Sequence, residues 1–493
     1  MKKKVLSLLL ASALSASLLT GCGEKAQEPA GQSQPEKSQE QSEAGSSAAG
    51  ENSSEQAQPD AEPDPVTISI GGWPTPENEQ FALFEGHKDK MKELYPYITI
   101  QTDEYQYEVD TFLPKAASGQ LPNLYMTWFT EIDKIINAGY AEDITNTITD
   151  NGVKEAINPE LLAQVERDGK YYGIPTSAYS MSMMYNVAVF EEAGLVDENG
   201  VPLFPKTWDE VAQTAVTIKE KTGKPGFFFP TTSNQGGWMF TNLAWSYGAD
   251  FEEQVDGKWT AIFDSDEAVA ALQFLKDLRW KYDVLPANTL VNLNDFQNLY
   301  GTDQVGMGLC HLNMVKGIVQ GTEMSKDNFA VSTTPEGPAG KAAQLGGNVY
   351  MIAPGTTPEQ QDAIMKWLTV IGESPVFTEE AMTGFEERYA TFAESGIPVG
   401  PMGVRIWTSG DRIEKENEIL AKYTNVDMKL WNEYCEHTSE NLRAEPPVNA
   451  QELYKALDSV IQEVFTNKDA DPKALLTKAA ADFQKDYLDK VSN

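Results

Sequence analysis

A regular pattern of apolar and polar positions begins at residue 66. Segments with the period of a strand are followed by segments with the period of a helix. Residues 66–70 alternate with a period of two, as in a strand with one buried face. The next segment repeats its apolar residues at helical spacing. Strand and helix patterns then alternate along the chain as far as Gly139. This alternation predicts an α/β fold on open, mainly parallel sheets. We expect strands at 66–70, 98–101 and 124–126, and helices at 81–94, 109–118 and 130–138.

Residues 170–195 are interpreted as a crossing between two lobes. A strand is predicted at 170–175 and is closed by Pro175, because proline has no N–H to donate to a sheet ladder. A second strand at 181–186 leads into a helix at 187–193 that Gly194 ends. Tyr179 lies at the join, so a ligand could bind beside the crossover.

A second α/β pattern follows the crossing. Thr207 and Glu210 have the spacing of a capping box and open a helix that Gly223 ends. Further along, Thr357 is predicted to cap another helix, with Pro358 at its first position. Apolar periodicity predicts a separate core for this unit. The remaining elements expected are a helix at 264–281, strands at 226–229, 305–310 and 344–352, and two tail helices at 450–465 and 472–488.

The N-terminus has the pattern of an export signal. Residues 1–4 are basic, 5–19 are apolar but short for a membrane span, and Leu19-Thr20-Gly21-Cys22 resembles the bacterial lipobox. We therefore expect a signal peptide at 1–21 and a lipidated Cys22 that anchors the chain to a membrane. Residues 23–65 contain no aromatic residue and no Val, Ile, Leu or Met, which predicts a disordered tether over 22–65.

Charge and cysteine content narrow the function classes. The chain has 38 Lys plus Arg against 74 Asp plus Glu, a net charge of −36, which opposes binding to nucleic acid. Once Cys22 is lipidated, Cys310 and Cys435 remain. They could pair in an exported protein, but two separate buried thiols are the simpler expectation.

The usual catalytic and metal-binding patterns are missing. The three histidines, His87, His311 and His437, have no metal-ligating neighbours at a recognisable spacing, and no nucleotide-binding or serine-hydrolase motif occurs. Adjacent carboxylates are interpreted as solvated surface. Residues 467–471 look like a turn, although weak calcium binding there stays open. We expect no cofactor and no catalytic residues.

Aromatic residues after strands and at glycine turns are the positive evidence for a binding site. A sugar has apolar C–H faces and a rim of hydroxyls, so its site needs aromatic rings beside polar side chains. Trp208 and Trp367 lie on predicted helices and are expected in the core. The aromatic candidates are Trp73, Trp128, Tyr179, Trp238 in the glycine-rich loop at 235–238, and Trp407; the polar candidates are Glu77, Glu131, Asn313 and Asn348.

Several of these motifs occur together in one known family. The Gly-Ile-Pro strand at 173–175, the Phe-Glu-Glu-Ala-Gly-Leu helix end at 190–195, Pro-Lys-Thr-Trp-Asp-Glu at 205–210 and Leu-Gly-Gly-Asn at 345–348 stand in family order. The chain resembles the extracellular solute-binding proteins of ABC importers, in particular the maltose-binding-protein-like carbohydrate branch. The resemblance covers residues 66–488, and the long segment after residue 373 resembles that of the larger oligosaccharide-binding members.

The resemblance implies a type II periplasmic-binding-protein fold, with two lobes of mostly parallel sheet flanked by helices and joined by a multi-strand hinge. It further implies a monomer that captures a carbohydrate and delivers it to the membrane permease of an ABC importer. The lobe boundaries expected are 66–177 for lobe 1, 178–343 for lobe 2, 344–373 for a return to lobe 1, and 374–493 mainly in lobe 2.

Two alternatives stay open at this point. The chain could be a surface-anchored glycoside-degrading enzyme that uses two of its many carboxylates. It could also be a receptor for a peptide or a polyamine, because the excess of acids would suit a cationic ligand.

Overall fold

The computed structural model describes residues 63–78, 80–400 and 403–491. The predicted signal peptide, Cys22 and most of the predicted tether lie outside the described residues. Fourteen strands occur within those ranges: β1 Val66–Ile70, β2 Ile98–Thr102, β3 Leu124–Trp128, β4 Glu166–Arg167, β5 Lys170–Tyr171, β6 Ile174–Ser180, β7 Ser182–Asn186, β8 Phe227–Phe228, β9 Glu252–Val255, β10 Lys258–Ala261, β11 Met307–Cys310, β12 Phe329–Ser332, β13 Ala343–Ile352 and β14 Leu442–Ala444.

The same ranges contain eighteen α-helices, and nine of them correspond to helices that the sequence predicts. Thr357 forms the full capping box, and Gly194 and Gly223 end their helices in the left-handed conformation. The helices are α1 Phe81–Leu94, α2 Val109–Ala117, α3 Ile132–Asn137, α4 Thr145–Asp150, α5 Val153–Ala156, α6 Pro159–Gln164, α7 Val187–Ala193, α8 Trp208–Thr222, α9 Gln235–Tyr247, α10 Asp266–Trp280, α11 Leu293–Gly301, α12 Val315–Thr322, α13 Pro358–Val370, α14 Glu379–Glu394, α15 Asp411–Tyr423, α16 Asn432–His437, α17 Ala450–Thr466 and α18 Pro472–Asp486.

Two sheets with separate cores form the two-lobe α/β fold. The first sheet has the order β14-β13-β3-β1-β2, with β6 also paired to β13. Strands β1, β2 and β3 are parallel, whereas β13 is antiparallel to β3 and β6. The second sheet has the order β12-β7-β11-β8, and β7 is antiparallel to both of its neighbours. The expectation of mostly parallel sheets is therefore wrong for lobe 2, where only β8 and β11 run parallel.

The strand that leads into the crossing extends further than the sequence pattern indicated. Strand β6 does not end at Pro175 but continues to Ser180, and β7 begins in the second sheet at Ser182. Pro175 is accommodated because the register between β6 and β13 shifts there, between Asn348 and Val349. The sequence pattern identified the proline but not the bulge that tolerates it.

Further crossings join the two lobes. The chain returns from β12 in the second sheet to β13 in the first. It later enters the lobe 2 core at Tyr434 of α16, returns to the first sheet at β14, and crosses again to α17, which packs in the second core. Across the lobes, Lys134 of α3 lies 3.2 Å from Glu452 of α17 and forms an ion pair with it.

The segment at 374–447 divides among three environments. Helices α14 and α15 share a small core of their own, which includes Phe385 and Leu420. Trp407 packs in the lobe 1 core, and Tyr434 packs in the lobe 2 core. The tail helices α17 and α18 pack in the lobe 2 core.

Residues 235–238 are helical, and the expectation of a glycine-rich loop there is wrong. Gly236 and Gly237 form the first turn of α9 instead. A Cβ on Gly237 would come within 2.3 Å of the Tyr454 carbonyl oxygen, so the glycines are needed for close packing of α9 on α17.

Cys310 and Cys435 are both unpaired thiols, with Cys310 buried and Cys435 half-buried. None of the helices in the described part of the chain is long and apolar enough to span a bilayer.

Candidate ligand-binding cleft

A cavity of about 280 Å³ lies between the two sheets at the crossing strands. Lobe 1 contributes Trp128 from the end of β3, and Asn348 from β13. These two residues are direct partners in the register of the sheet. The other lining residues are Thr130, Tyr179, Ser233, Asn234, Gln235, Trp238, Leu293, His311, Gly347, Glu445, Gln451 and Tyr454.

Three rings form one wall of the cleft. Tyr179 stacks on His311 with ring centroids 4.3 Å apart and planes 22° apart, and Trp238 meets both rings edge to face at about 6 Å. Burial lowers the pKa of His311 to about 4, so its ring is neutral at pH 7. The wall is therefore aromatic and uncharged.

Trp128 faces this wall from lobe 1. Its side chain is 38% exposed, which is more than any other tryptophan of the described residues. Tyr107 supports it edge to face at 5.5 Å. A ligand between the lobes would thus have an aromatic ring on each side.

Glu445 lies at the base of the cleft, on the crossing between β14 and α17. Its Oε1 accepts hydrogen bonds from the Trp238 indole Nε1–H and the Tyr454 hydroxyl, each at 3.1 Å. Burial raises the pKa of Glu445 to about 8, so the neutral acid dominates at pH 7. A neutral carboxyl can both donate and accept a hydrogen bond, as recognition of a hydroxyl requires.

Two glycines of β13 allow the aromatic wall to lie close to the backbone. A Cβ on Gly346 would come within 2.3 Å of the Tyr179 ring, and one on Gly347 within 2.2 Å of the Ser177 carbonyl oxygen. The Leu-Gly-Gly-Asn motif therefore sets the depth of the cleft and places Asn348 on its surface.

The structure brings together four of the nine ligand-binding candidates: Trp128, Tyr179, Trp238 and Asn348. Trp73 lies instead in the lobe 1 core, 3% exposed, where it stacks on Trp367 at 5.7 Å. Trp407 is 6% exposed in the same core, outside the cleft lining. These two assignments are corrected because both rings have apolar partners within their own lobe. Trp208 and Trp367 are core residues, as expected.

Three polar candidates also lie outside the cleft lining. Glu77 is exposed in the turn before α1, and Asn313 is exposed in the short turn Leu312–Met314 after β11. Glu131 is 1% exposed and accepts a hydrogen bond from the Tyr107 hydroxyl. Its burial raises the pKa of the carboxyl, and its contacts make it a support for Tyr107 and, through that ring, for Trp128.

His311, Glu445 and Tyr454 also line the cleft, and sequence reasoning missed all three. His311 directly follows a buried strand, which is a position where ligands bind in α/β sheets, and this signal could have identified it. Glu445 is one of 74 acids, and its environment depends on helices that precede it by 200 residues. Within the described residues no group of three His, Cys, Asp or Glu side chains could hold a metal ion.

The profile of the bacterial extracellular solute-binding protein family matches residues 82–374. The chain therefore belongs to that family. A putative binding protein of Brucella abortus is 24% identical over 273 residues, which are 53% of this chain and 62% of that protein. The chain thus spans less than two thirds of the length of that relative.

Other relatives match over different extents. An arabinooligosaccharide-binding protein of Bacillus subtilis is 22% identical over 66% of this chain and 69% of its own. A homologous arabinooligosaccharide-binding protein of Halalkalibacterium halodurans is 34% identical over 118 residues, 24% of either chain.

Solved structures share the fold over most of the chain. A solute-binding protein of an ABC transporter from Thermotoga lettingae, bound with α-D-tagatose, has a TM-score of 0.61 and 23% identity, covering 86% of this chain and 99% of that one. The cyclic α-maltosyl-1,6-maltose binding protein of Arthrobacter globiformis has a TM-score of 0.62 and 22% identity, covering 85% and 97%. These likenesses support the two-lobe fold.

Proposed function

We propose that the cleft binds a carbohydrate, and that the ligand is an oligosaccharide. The observation that carries this proposal is a cleft lined by aromatic rings from both lobes, with Trp128 and Tyr179 from lobe 1 and Trp238 and His311 from lobe 2. Apolar sugar faces stack on such rings, while Asn348 and Glu445 supply amide and carboxyl groups for hydroxyls. Two relatives named arabinooligosaccharide-binding proteins agree with this ligand class.

The charge state of the cleft favours a neutral ligand over a polyamine. Glu445 is the only carboxylate among its lining residues, and the pKa of about 8 leaves it mostly protonated at pH 7. His311 is neutral as well. A cationic ligand would therefore find no full negative charge to offset its desolvation.

The same lining argues against glycoside hydrolysis. Hydrolases that work by the usual mechanism place two carboxyl groups on either side of the glycosidic bond. The cleft lining supplies one, and the buried Glu131 is bound to Tyr107 outside it. We propose a receptor without enzymatic activity.

We further propose a transport role for this receptor. Lipidated Cys22 would anchor the chain at the outer face of the cell membrane, residues 22–65 would tether it, and the closed form would deliver the sugar to an ABC permease as a monomer. Lobe 1 would comprise 66–180 and 343–373, and lobe 2 would comprise 182–342 and most of 445–493. Ligand contacts on both lobes would favour closure about the segments that cross between them.

Calorimetric titration of the full chain with arabino-, malto- and xylo-oligosaccharides tests the ligand class. We expect saturable binding of at least one series, with affinity rising from the monosaccharide to the trisaccharide because both aromatic surfaces become engaged. Binding of spermidine or a peptide, with no sugar bound, would contradict the proposal. Release of reducing ends during incubation would favour the enzyme instead.

A further inference from the structure

A second, larger cavity lies between lobe 1 and the α14–α15 pair. Its volume is about 480 Å³, and none of its lining residues lines the cleft. The walls come from the first half of α1, the end of α13, helix α14 and residues 405–416. The 374–447 segment therefore encloses a space that is separate from the cleft.

Arginine is concentrated in this cavity. The chain has six arginines, at positions 167, 279, 388, 405, 412 and 443, and three of them, Arg388, Arg405 and Arg412, line it. The planar guanidinium group binds carboxylate and phosphate oxygens with two parallel hydrogen bonds, which an ammonium group cannot do. Half the arginines of a strongly acidic chain thus face one space.

Two of these arginines are available to a ligand. Arg412 is buried and pairs with Glu416, and it also donates to the Ser374 carbonyl oxygen. Among the described residues, neither Arg388 nor Arg405 forms an ion pair with a carboxylate, and Arg405 donates only to Asn417. The acids Glu380 and Glu387 also line the cavity and are exposed, as Arg388 is. Burial has the largest effect on the pKa of the nearby Glu373, and the charge of Arg388 acts against it and lowers the pKa of that carboxyl. Because no carboxylate of the described residues holds Arg388 or Arg405 in an ion pair, both guanidinium groups can bind an anion.

Two lining residues of the cavity carry polar atoms that lack partners. Glu373 Oε2 and His87 Nδ1 are buried and have no hydrogen-bond partner among the described residues. Burial raises the pKa of Glu373, which favours its neutral, donor form. Unpaired buried polar atoms cost free energy, and a hydroxylated ligand would satisfy them.

Aromatic side chains complete the surface, since Trp407 and Phe385 also line the cavity. We propose that it is a second binding site, for a small hydroxylated anion such as an acidic sugar. Arg388 and Arg405 would bind its carboxylate or phosphate, and Glu373 and His87 its hydroxyls, beside the apolar wall that Trp407 and Phe385 form. This site does not depend on what the cleft binds.

The two sites meet at one hydrogen bond. Thr176 lines the second cavity, and its hydroxyl donates to the carbonyl oxygen of Asn348, whose residue lines the cleft, at 3.4 Å. Thr176 and Asn348 lie on the paired strands β6 and β13. A ligand bound in either site would therefore contact the same pair of strands.

Calorimetry of the full chain with galacturonate, glucuronate, glucose 6-phosphate, galactose and glucose tests the proposal. We expect at least one acidic probe to bind at least tenfold more tightly than its neutral counterpart. The uronate and phosphate arms separate the two anion chemistries. Arg388→Gln and Arg405→Gln should each weaken that binding at least tenfold, and Arg388→Lys should weaken it less because the charge stays but the fork is lost.

Two controls separate this site from the cleft. Lys422→Gln makes the same charge change on α15 outside the cavity lining, and it should leave acidic-probe affinity within about twofold, because an exposed charge outside the site is screened. Trp238→Ala, in the cleft, should also leave it unchanged. The proposal is overturned if no acidic probe binds better than its neutral counterpart, if the arginine variants bind as the wild type does, or if Trp238→Ala abolishes the binding.

Discussion

The Trp238 indole Nε1–H donates a hydrogen bond of 3.1 Å to Glu445 Oε1, which links helix α9 of lobe 2 to the last crossing between the lobes. The bond joins the aromatic wall of the cleft to a segment that connects the two lobes. Tyr454 of α17 donates to the same oxygen. Glu445 thereby holds the aromatic wall and this connecting segment in one arrangement.

Truncation of Trp238 separates its two contributions. Trp238→Ala removes both the ring and the hydrogen bond, and we expect at least a tenfold loss of sugar affinity, equivalent to about 1.4 kcal/mol. Trp238→Phe keeps an aromatic face and loses only the donor, so its affinity should lie between those of Trp238→Ala and the wild type. Calorimetric titration with the best oligosaccharide measures both. Equal affinity in all three proteins would remove Trp238 from the site.

The same substitution should have different effects at Trp73 and Trp128, lowering stability at the first and sugar affinity at the second. Trp73→Ala empties a core position and should lower the free energy of unfolding by about 3–5 kcal/mol. Trp128→Ala removes a partly exposed ring and should change stability by no more than about 1 kcal/mol, while it weakens sugar binding at least tenfold. Urea denaturation and calorimetry of both variants provide the comparison. A folded Trp128→Ala protein with unchanged affinity would contradict the two-sided aromatic cleft.

Glu445→Gln should change the pH dependence of stability. The folded chain holds this proton up to about pH 8, whereas the unfolded chain releases it near the ordinary value of 4.5. Between these values the folded state binds more protons, so the wild-type free energy of unfolding falls relative to the variant as pH rises, by about 1.4 kcal/mol per pH unit at most. Denaturation at pH 5, 6, 7 and 8.5 measures this difference.

Glu252 has the same direction of pKa shift, also to about 8, but it is present in both proteins and cancels in that comparison. Parallel stability profiles for the wild type and Glu445→Gln would show that Glu445 ionises normally in the folded chain.

Gly237→Ala should destabilise the protein although alanine favours helices. The added Cβ would lie 2.3 Å from the Tyr454 carbonyl oxygen, so α9 and α17 would have to separate, at a cost of about 1–3 kcal/mol or more. Gly86→Ala on α1 is the matched control. No atom lies within 4 Å of its new Cβ, and we expect it to stabilise by about 0.5–1 kcal/mol. Urea midpoints that move the same way in both variants would argue against this packing.

The sequence pattern predicted elements whose signals are local. Strand β1 and helix α7 have the bounds expected from alternation, a cap and a stop glycine. It failed where the deciding contact is distant. Residues 235–238 look like a loop because the contacts that need the two glycines are distant in sequence: Asp458 lies against Gly236, and Tyr454 lies against Gly237.

The same distinction holds within the site. Trp73 and Trp128 both follow strands of one sheet, and only packing against Trp367 on α13 separates a core ring from a cleft ring. Glu445 could not be selected from the other acids, because its raised pKa results from burial among helices of lobe 2.

The exposure of Trp128 has a practical consequence for following lobe movement. The other nine tryptophans are buried or half-buried, so water contacts them less than it does Trp128. A sugar bound in the cleft would shield Trp128 from water and would also contact Trp238, which lines the same cavity. Under the proposed function, intrinsic fluorescence would therefore report ligand capture without an attached dye, and Trp128→Phe would show how much of the signal comes from the exposed ring.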